Sequence, residues 1–264
     1  MKHQIVTYNI RYGSASDGAN SWKHRREIFF NSLNEIQPTI MGTQEGEYFQ
    51  LQEILTALGG NEKWSFVGVG RDDGQEKGEH CAIFYDKTKY ESVENGTFWL
   101  SDTPNQPSKS WDSTLPRICT WVKLRVKDDK ATKPESILVY NVHLDWPSFL
   151  ARSKSMPLVI DHIDKYARSC RVIVMGDFNN ETMDAPEIKI METNGFLDTY
   201  FVRHPDDVKT ATFHDFTGHP SSCKIDFIWI YAKVLFNVID ATINKYNEKN
   251  KYPSDHFAVT ATLE

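Results

Sequence analysis

The sequence runs Val-Ile-Val-Met-Gly-Asp-Phe-Asn from residue 172 to residue 179. Four consecutive apolar residues are typical of a strand that is covered on both faces, at the centre of a sheet. In extended backbone Asp177 and Asn179 point to the same side, so a carboxylate and a carboxamide meet at the rim of that sheet. The carboxylate can accept a proton from water, and the amide can donate to a phosphoryl oxygen. The alternative is a simple turn, because Gly, Asp and Asn are turn formers.

A second strand with a polar end lies upstream, over residues 137–145. Its apolar residues alternate, which places Asn141, His143 and Asp145 together on the other face, near the strand's end. Three polar side chains on a face that should be buried are costly unless they are paired or functional. A neutral structural network and a functional site are both open at this point.

Two further strand ends carry candidate ligands. Ser254-Asp255-His256 opens a strand-like run in which Asp255 could hold a metal or a water and His256 could face a developing negative charge. Glu45 closes the strand-like run 39–44, and a carboxylate at a strand terminus suits Mg²⁺, which prefers one or two carboxylates and keeps several waters. The structural interpretation is a capped strand start for Ser254-Asp255-His256 and an exposed glutamate for Glu45.

Three more polar residues stand inside or beside apolar strands. Asn9 interrupts the apolar run 4–10, and the carboxylates of Glu79 and Asp226 flank strand cores. A carboxylate in that position is suited to orienting a histidine. Alone, none of the three decides between a structural and a functional role.

Composition limits the classes of protein that this chain can belong to. The 264 residues are 40% hydrophobic and 12% aromatic, with a net charge of −6. This excludes a disordered chain and a polybasic DNA-coating protein, but not an enzyme that meets phosphate through a bound cation. No run approaches the roughly 18 apolar residues of a membrane span, and the amino terminus lacks the apolar segment of a signal peptide. Four scattered cysteines predict reduced thiols and a cytoplasmic location, with a disulfide as the alternative that spacing leaves open.

The order of elements predicts an α/β (α+β) architecture in one domain, residues 1–264. Strand-like and helical runs are mixed along the chain, which favours helices packed outside two sheets. The segment Lys127–Pro134 reads as a hairpin loop. Predicted helices are Trp22–Ile36, Phe49–Leu58, Phe149–Tyr166 and Ala185–Thr193. Predicted strands are Gln4–Ile10, Thr39–Gln44, Trp64–Val69, Cys81–Tyr85, Thr97–Leu100, Ile118–Val126, Ile137–Leu144, Val172–Met175, Ile225–Ile230, Val234–Thr242 and His256–Leu263.

Taken together, the motifs resemble the endonuclease/exonuclease/phosphatase superfamily of deoxyribonuclease-like phosphoesterases. Seven motifs occur in the family's order, from Asn9 to His256: TYN, TQE, GE…IFY, NVHLD, GDFN, KID and SDHF. The resemblance implies a four-layer αββα sandwich of two packed mixed sheets, with the site at one end. A second set, GRxDG…GE…FWLS…W…R..TW, is similar to a branch of mostly uncharacterised bacterial and fungal hydrolases.

The resemblance also implies roles for particular residues. Asn9 and Glu45 match the family's metal-site positions, with Asp255 as a second acidic residue at the metal end. Asp177 matches the carboxylate that positions or deprotonates the attacking water, and Asn179 the phosphate-orienting amide. His143 and His256 match the histidines that flank the scissile phosphate, with Glu79 and Asp226 as their respective partners. These acidic partners are expected to raise the pKa of both histidines, and Mg²⁺, or Mn²⁺ as an alternative, is the expected cofactor.

The substrate is less well determined than the chemistry. Arg117, Arg71 and Arg11 are candidate phosphate contacts, since guanidinium binds phosphate bidentately, and a structural ion pair is the alternative for each. Trp99 and Trp111 could floor a pocket or belong to the core. Trp146-Pro147-Ser148 follows HLD, where the family branch often has His and Gly, and the role of Arg152 is open.

Three functions compete. The first is a phosphatase or phosphodiesterase of a small phosphorylated metabolite, with no membrane segment and no obligate protein partner. The second is a nuclease on DNA or RNA, which needs a basic track beside the site. The third is an inactive binding module, which would be expected to lose metal or histidine positions. The densest basic cluster comprises Lys123, Arg125, Lys127, Lys130 and Lys133, and Asp128 and Asp129 interrupt it.

Overall fold

A computed structural model describes residues 1–127, 135–166, 170–234 and 236–264. It contains two packed mixed sheets, as predicted, and each has six strands. The first has the strand order β11-β12-β1-β2-β4-β3 and the second β5-β6-β7-β8-β10-β9. The strands are β1 His3–Asn9, β2 Ile40–Gly46, β3 Trp64–Val67, β4 His80–Asp86, β5 Tyr90–Trp99, β6 Ile118–Val126, β7 Ser136–His143, β8 Arg171–Asp177, β9 Phe196–Asp198, β10 Asp226–Tyr231, β11 Val238–Asn244 and β12 Ala258–Leu263.

Three buried apolar layers hold the sandwich together. The layer between the sheets includes Ile5 and Val259 from the first sheet and Ile173 from the second. A second layer joins the first sheet to α1 and α2, and a third joins the second sheet to α4 and α5. The order of layers is therefore αββα. The helices are α1 Trp22–Ile36, α2 Tyr48–Ala57, α3 Gly60–Lys63, α4 Phe149–Tyr166, α5 Pro186–Thr193 and α6 Thr199–Arg203.

The predicted elements are recovered most closely where the apolar pattern is strongest. The helices α1 and α4 and the strand β6 have the predicted bounds. The prediction missed β9, α3, α6 and the first seven residues of β5. Both β5 and β9 are edge strands of the second sheet, and residues 91–97 are half-buried or exposed, so they lack an apolar signature. The predicted hairpin loop Lys127–Pro134 lies, except for Lys127, outside the described residues.

A polar network joins the two sheets beneath the site. The Asn141 amide nitrogen donates to the carbonyl oxygens of Thr43 and Ala82, both at 2.9 Å. Its Oδ1 accepts a 2.7 Å hydrogen bond from Gln44. The structural interpretation therefore holds for Asn141, since these bonds cross from the second sheet to the first. They fix how the strand ends on the two sheets face each other.

Gly176 allows β7 and β8 to lie close together at the edge of the site. Its φ is +143°, and a Cβ there would lie 2.0 Å from the Val142 carbonyl oxygen. We expect Gly176→Ala to lower the free energy of unfolding by about 3 kcal/mol or more, because a clash adds to backbone strain. Urea unfolding followed by circular dichroism measures this loss.

Gly60→Ala is the matched control for the Gly176 substitution. Gly60 also has a positive φ, +75°, but has no atoms within 4 Å of the added Cβ. It should lose only about 1–2 kcal/mol, which is the cost of left-handed backbone for a residue with a Cβ. Equal losses in the two variants would contradict the argument from close strand packing.

Candidate active site

Strand direction brings the predicted site residues to one end of the sandwich. The pairs β1/β2 and β7/β8 are parallel, so their carboxyl ends carry Asn9, Glu45, His143 and Asp177 to the same edges. The strands β4, β10 and β12 run antiparallel to them and begin at that end. Their starts supply the remaining acidic and histidine residues, which are Glu79, Asp226, Asp255 and His256.

These residues surround a cavity of about 510 Å³. Its volume is that of a site for a small molecule. Asn9, Asp226 and Arg71 do not line the cavity but contact residues that do. The predicted residues on its wall are Arg11, Glu45, Glu79, Arg117, His143, Asp177, Asn179, Asp255 and His256.

Asp177 lies at the centre of the cluster. The imidazole Nε2 atoms of His143 and His256 lie 3.7 and 3.9 Å from Asp177 Oδ2. The same oxygen accepts a 3.0 Å hydrogen bond from Asn9, and Oδ1 accepts one from the Asn179 backbone at 2.9 Å. Burial, together with the nearby Asp226, raises the pKa of Asp177. A carboxylate with a raised pKa is a stronger proton acceptor.

His256 and Asp226 form a buried pair. The His256 Nδ1 lies 2.9 Å from Asp226 Oδ2, which leaves Nε2 facing the cavity. Burial alone would lower the pKa of His256, but Asp226, with further help from Asp177 and Asp255, raises it to about 10. The imidazole is therefore a cation at neutral pH and can stabilise negative charge that develops on a phosphate.

The protonation of His256 can be measured directly. In metal-free protein we expect the His256 imidazole to stay protonated from pH 5 to pH 8. Asp226→Asn should bring its pKa into or below that range, because the main charge opposing desolvation is lost. Nuclear magnetic resonance titration of the ring signals reports both values. A pKa near 6.5 in the unsubstituted protein would contradict the pairing.

His143 differs from the prediction. Its Nδ1 is 3.8 Å from Glu79 Oε2, which is too long for a hydrogen bond. Glu79 is bound instead by both terminal nitrogens of Arg71, each at 2.7 Å. Burial, with the positive charges of Arg117 and Arg71, lowers the pKa of His143 well below its ordinary value. The expectation that the acidic partner raises the pKa is wrong for this histidine, because burial and the charges of Arg117 and Arg71 outweigh any effect of Glu79.

The predicted metal-site residues meet at the boundary between β1 and β2. The Asn9 amide nitrogen donates to Glu45 Oε1 at 2.9 Å, and the Tyr12 backbone N–H donates to Glu45 Oε2 at 3.2 Å. Arg11 Nε comes no closer than 3.8 Å to Asp255 Oδ2, beyond hydrogen-bond distance. Glu45 and Asp255 thus present carboxylate oxygens to the cavity, a donor set that suits a hard divalent cation.

Asp177, Asp226 and His256 also form a group close enough to share an ion. One potential ligand atom from each lies within 4.8 Å of the others. Asp226 and His256 are already hydrogen-bonded to each other, so an ion there would have to displace that bond.

The three predicted arginines have different surroundings. Arg11 lines the cavity and pairs with Asp17 through two 3.0 Å hydrogen bonds. Arg117 also lines it, and its Nε binds Asp145 at 3.2 Å, while Nη1 is buried and has no partner among the described residues. Arg71 lies behind Glu79 and is hydrogen-bonded to it. The structural ion pair, which the sequence left open as an alternative, therefore describes Arg71. Of the three, Arg117 offers the clearest free donor to a phosphate.

Asn179 and Asp145 complete the second-sheet side. The Asn179 amide nitrogen donates to the Leu144 carbonyl at 3.0 Å, which leaves its second N–H for a ligand. Its φ of 48° is the left-handed conformation that asparagine tolerates. Asp145 holds Arg117 and the Ser148 backbone N–H, so it positions other groups.

Sequence reasoning did not single out several residues on the cavity wall. Trp99 and Trp111, which it did consider, do not line the cavity. The sequence marked Trp146 only as a departure from the family pattern. The available signal was its position, two residues after the end of the predicted strand Ile137–Leu144. The loop 213–222 gave no motif at all. The additional wall residues are Tyr12, Trp146, Asn180, Glu181, Phe213, Asp215, Ser222 and Ile225.

An αββα sandwich with paired histidines, clustered carboxylates and an amide at one end defines a phosphoester hydrolase. Residues 6–256 match the Endonuclease/Exonuclease/phosphatase family, and the chain belongs to this family of metal-dependent phosphoesterases. A mannosyl-6-phosphatase of Bacteroides thetaiotaomicron is 32% identical, with a TM-score of 0.87 and 99% of both chains covered. An uncharacterized protein of Acanthamoeba polyphaga mimivirus is 25% identical over 92% of each chain. The catalytic domain of human nocturnin shares the fold, at 17% identity and a TM-score of 0.75, with 100% of this chain and 94% of that domain covered.

Proposed function

We propose that residues 1–264 act as one domain, a Mg²⁺-dependent phosphatase or phosphodiesterase of a small phosphorylated metabolite. The observation that carries this proposal is the convergence of Asp177, His256 and Glu45 on one cavity of about 510 Å³. A cavity of this size is in the range of sites for small ligands. The relative named a mannosyl-6-phosphatase, similar over its whole length, supports a phosphorylated sugar as one candidate substrate.

The residues suggest how water attacks phosphorus. Asp177 holds the water and accepts its proton, while the new P–O bond forms and the bond from phosphorus to the leaving oxygen breaks. His256, fixed as a cation by Asp226, and the free Arg117 amino group stabilise charge on the non-bridging oxygens. When bound at Glu45 and Asp255, with Asn9 holding the Glu45 carboxylate in place, Mg²⁺ would supply Lewis-acid stabilisation of the same charge. Asn179 donates its free N–H to a phosphoryl oxygen.

The position of basic residues argues against the nuclease alternative. Lys123, Arg125 and Lys127 lie toward the far end of β6, whose start adjoins Arg117 at the cavity. The nine residues of β6 span about 27 Å. The described part of the basic cluster is therefore remote from the site, whereas a nuclease needs positive charge beside it. Lys130 and Lys133 lie outside the described residues.

A substrate panel tests the proposed function. Purified protein with Mg²⁺ or Mn²⁺ is assayed on p-nitrophenyl phosphate, bis-p-nitrophenyl phosphate, sugar phosphates, nucleotides, plasmid DNA and RNA. We expect hydrolysis of small phosphoesters and a weak dependence on salt. DNA nicking at low enzyme concentration would overturn the metabolite assignment in favour of a nuclease. No hydrolysis together with no metal binding would leave the inactive module as the better description.

A further inference from the structure

The mouth of the cavity carries an exposed aromatic side chain. Trp146 lines the cavity although 71% of the residue is exposed to solvent. It directly follows the HLD motif, and Phe213 lies on the same cavity wall. An indole face in this position offers a broad apolar surface to whatever part of a ligand extends beyond the phosphate.

A buried arginine holds Trp146 in place. Arg152 is fully buried, and its Nη1 donates to the backbone carbonyls of Asp145 and Trp146. Its Nε and Nη2 bind Glu187 at 2.8 Å and Glu181 at 2.9 Å. One guanidinium therefore fixes both the Trp146 backbone and the Glu181 carboxylate, two parts of the same rim. Such fixing lowers the entropy cost of ligand binding.

The charge on this rim restricts the ligand. Glu181 and Asp215 are carboxylates on the cavity wall, and among the described residues no lysine lines it. Arg11 is paired with Asp17, and Arg117, which binds Asp145 through Nε, is already assigned to the reacting phosphate. A second phosphate near Asp215 would meet repulsion, whereas the charge of Glu181 is already offset by Arg152. Hydroxyl groups, by contrast, can donate to these acceptor-only carboxylates.

We propose that Trp146, Glu181 and Asp215 form a subsite for an uncharged, polyhydroxylated ring on the leaving-group side of the phosphate. The C–H face of the ring packs on the Trp146 indole, and its hydroxyls donate to the carboxylates. The inference rests on the proposed phosphoester hydrolysis and adds the class of leaving group. Trp146 is thereby a specificity-determining residue that takes no part in bond breaking.

Kinetics with two substrates test the subsite. A hexose 6-phosphate reaches the rim, whereas acetyl phosphate has a leaving group too small to do so. We expect Trp146→Ala to lower kcat/KM for the hexose phosphate about tenfold, through KM, because about 1.4 kcal/mol of stacking is lost. Turnover of acetyl phosphate should be unchanged. Trp146→Phe should recover most of the loss, and Asp215→Asn should raise KM for the hexose phosphate alone.

Phe149→Ala is the matched control, because Phe149 is an exposed aromatic three residues further on that does not line the cavity. It should leave both substrates unaffected. Unchanged hexose phosphate kinetics in Trp146→Ala, or a higher kcat/KM for nucleoside monophosphates than for any hexose phosphate, would overturn the subsite. Failure of the unsubstituted protein to hydrolyse any small phosphoester, nucleotides and p-nitrophenyl phosphate included, would instead overturn the proposed function.

Discussion

Asp177→Asn is expected to lower kcat for phosphoester hydrolysis by about 10³-fold and to leave the protein folded. General base catalysis contributes roughly 10² to 10⁴ in rate, and an amide cannot accept the proton of the attacking water. The substitution keeps the side chain's shape, so an oxygen can still accept from Asn9 or the Asn179 backbone. Steady-state kinetics with p-nitrophenyl phosphate measures the loss, and circular dichroism with thermal unfolding checks the fold.

Asp86→Asn provides the matched control for Asp177→Asn. Asp86 is also a buried carboxylate that accepts a backbone hydrogen bond, from Thr88, but it lies at the opposite end of β4 from Glu79. Its substitution should leave kcat unchanged. An Asp177→Asn enzyme that retains more than about a tenth of the normal kcat would remove Asp177 from the role of base.

Removal of divalent metal is expected to abolish turnover, and Mg²⁺ is expected to restore it. Without a cation between them, the carboxylates of the cavity would repel the negatively charged phosphate. Glu45→Gln should raise the Mg²⁺ concentration for half-maximal activity by about tenfold or more, since a carboxylate ligand is replaced by a neutral amide. Chelation followed by Mg²⁺ titration measures both effects.

Glu47→Gln distinguishes the metal role of Glu45 from a general effect of charge. Glu47 lies two residues further on, where it accepts hydrogen bonds from Ser14 and caps α2, outside the cavity wall. Its substitution should leave the Mg²⁺ requirement unchanged. Full activity after exhaustive chelation would refute the metal dependence, and equal shifts for Glu45 and Glu47 would refute the assignment of the ligand.

The sequence alone predicted the layers and most of the residues that line the candidate site. Continuous apolar residues at 172–175 predicted a central strand, and β8 lies between β7 and β10 with both faces covered. The bounds of helix α1 were predicted correctly, because its apolar side chains recur at helical spacing and face the sheet. The polar residues that ended these strands converge in space, since strand direction fixes which ends share an edge.

Only the tertiary structure determined the ionisation of the site residues and which residues form the outer wall of the site. The low pKa of His143 depends on its burial and on the nearby charges of Arg117 and Arg71, which no local pattern specifies. Trp146 and Phe213 meet at one cavity although 67 positions separate them in the chain. Local sequence encodes burial and periodicity through the hydrophobic effect and backbone geometry. Electrostatic coupling and cavity shape depend on distances between residues remote in sequence, which exist only after the two sheets have packed.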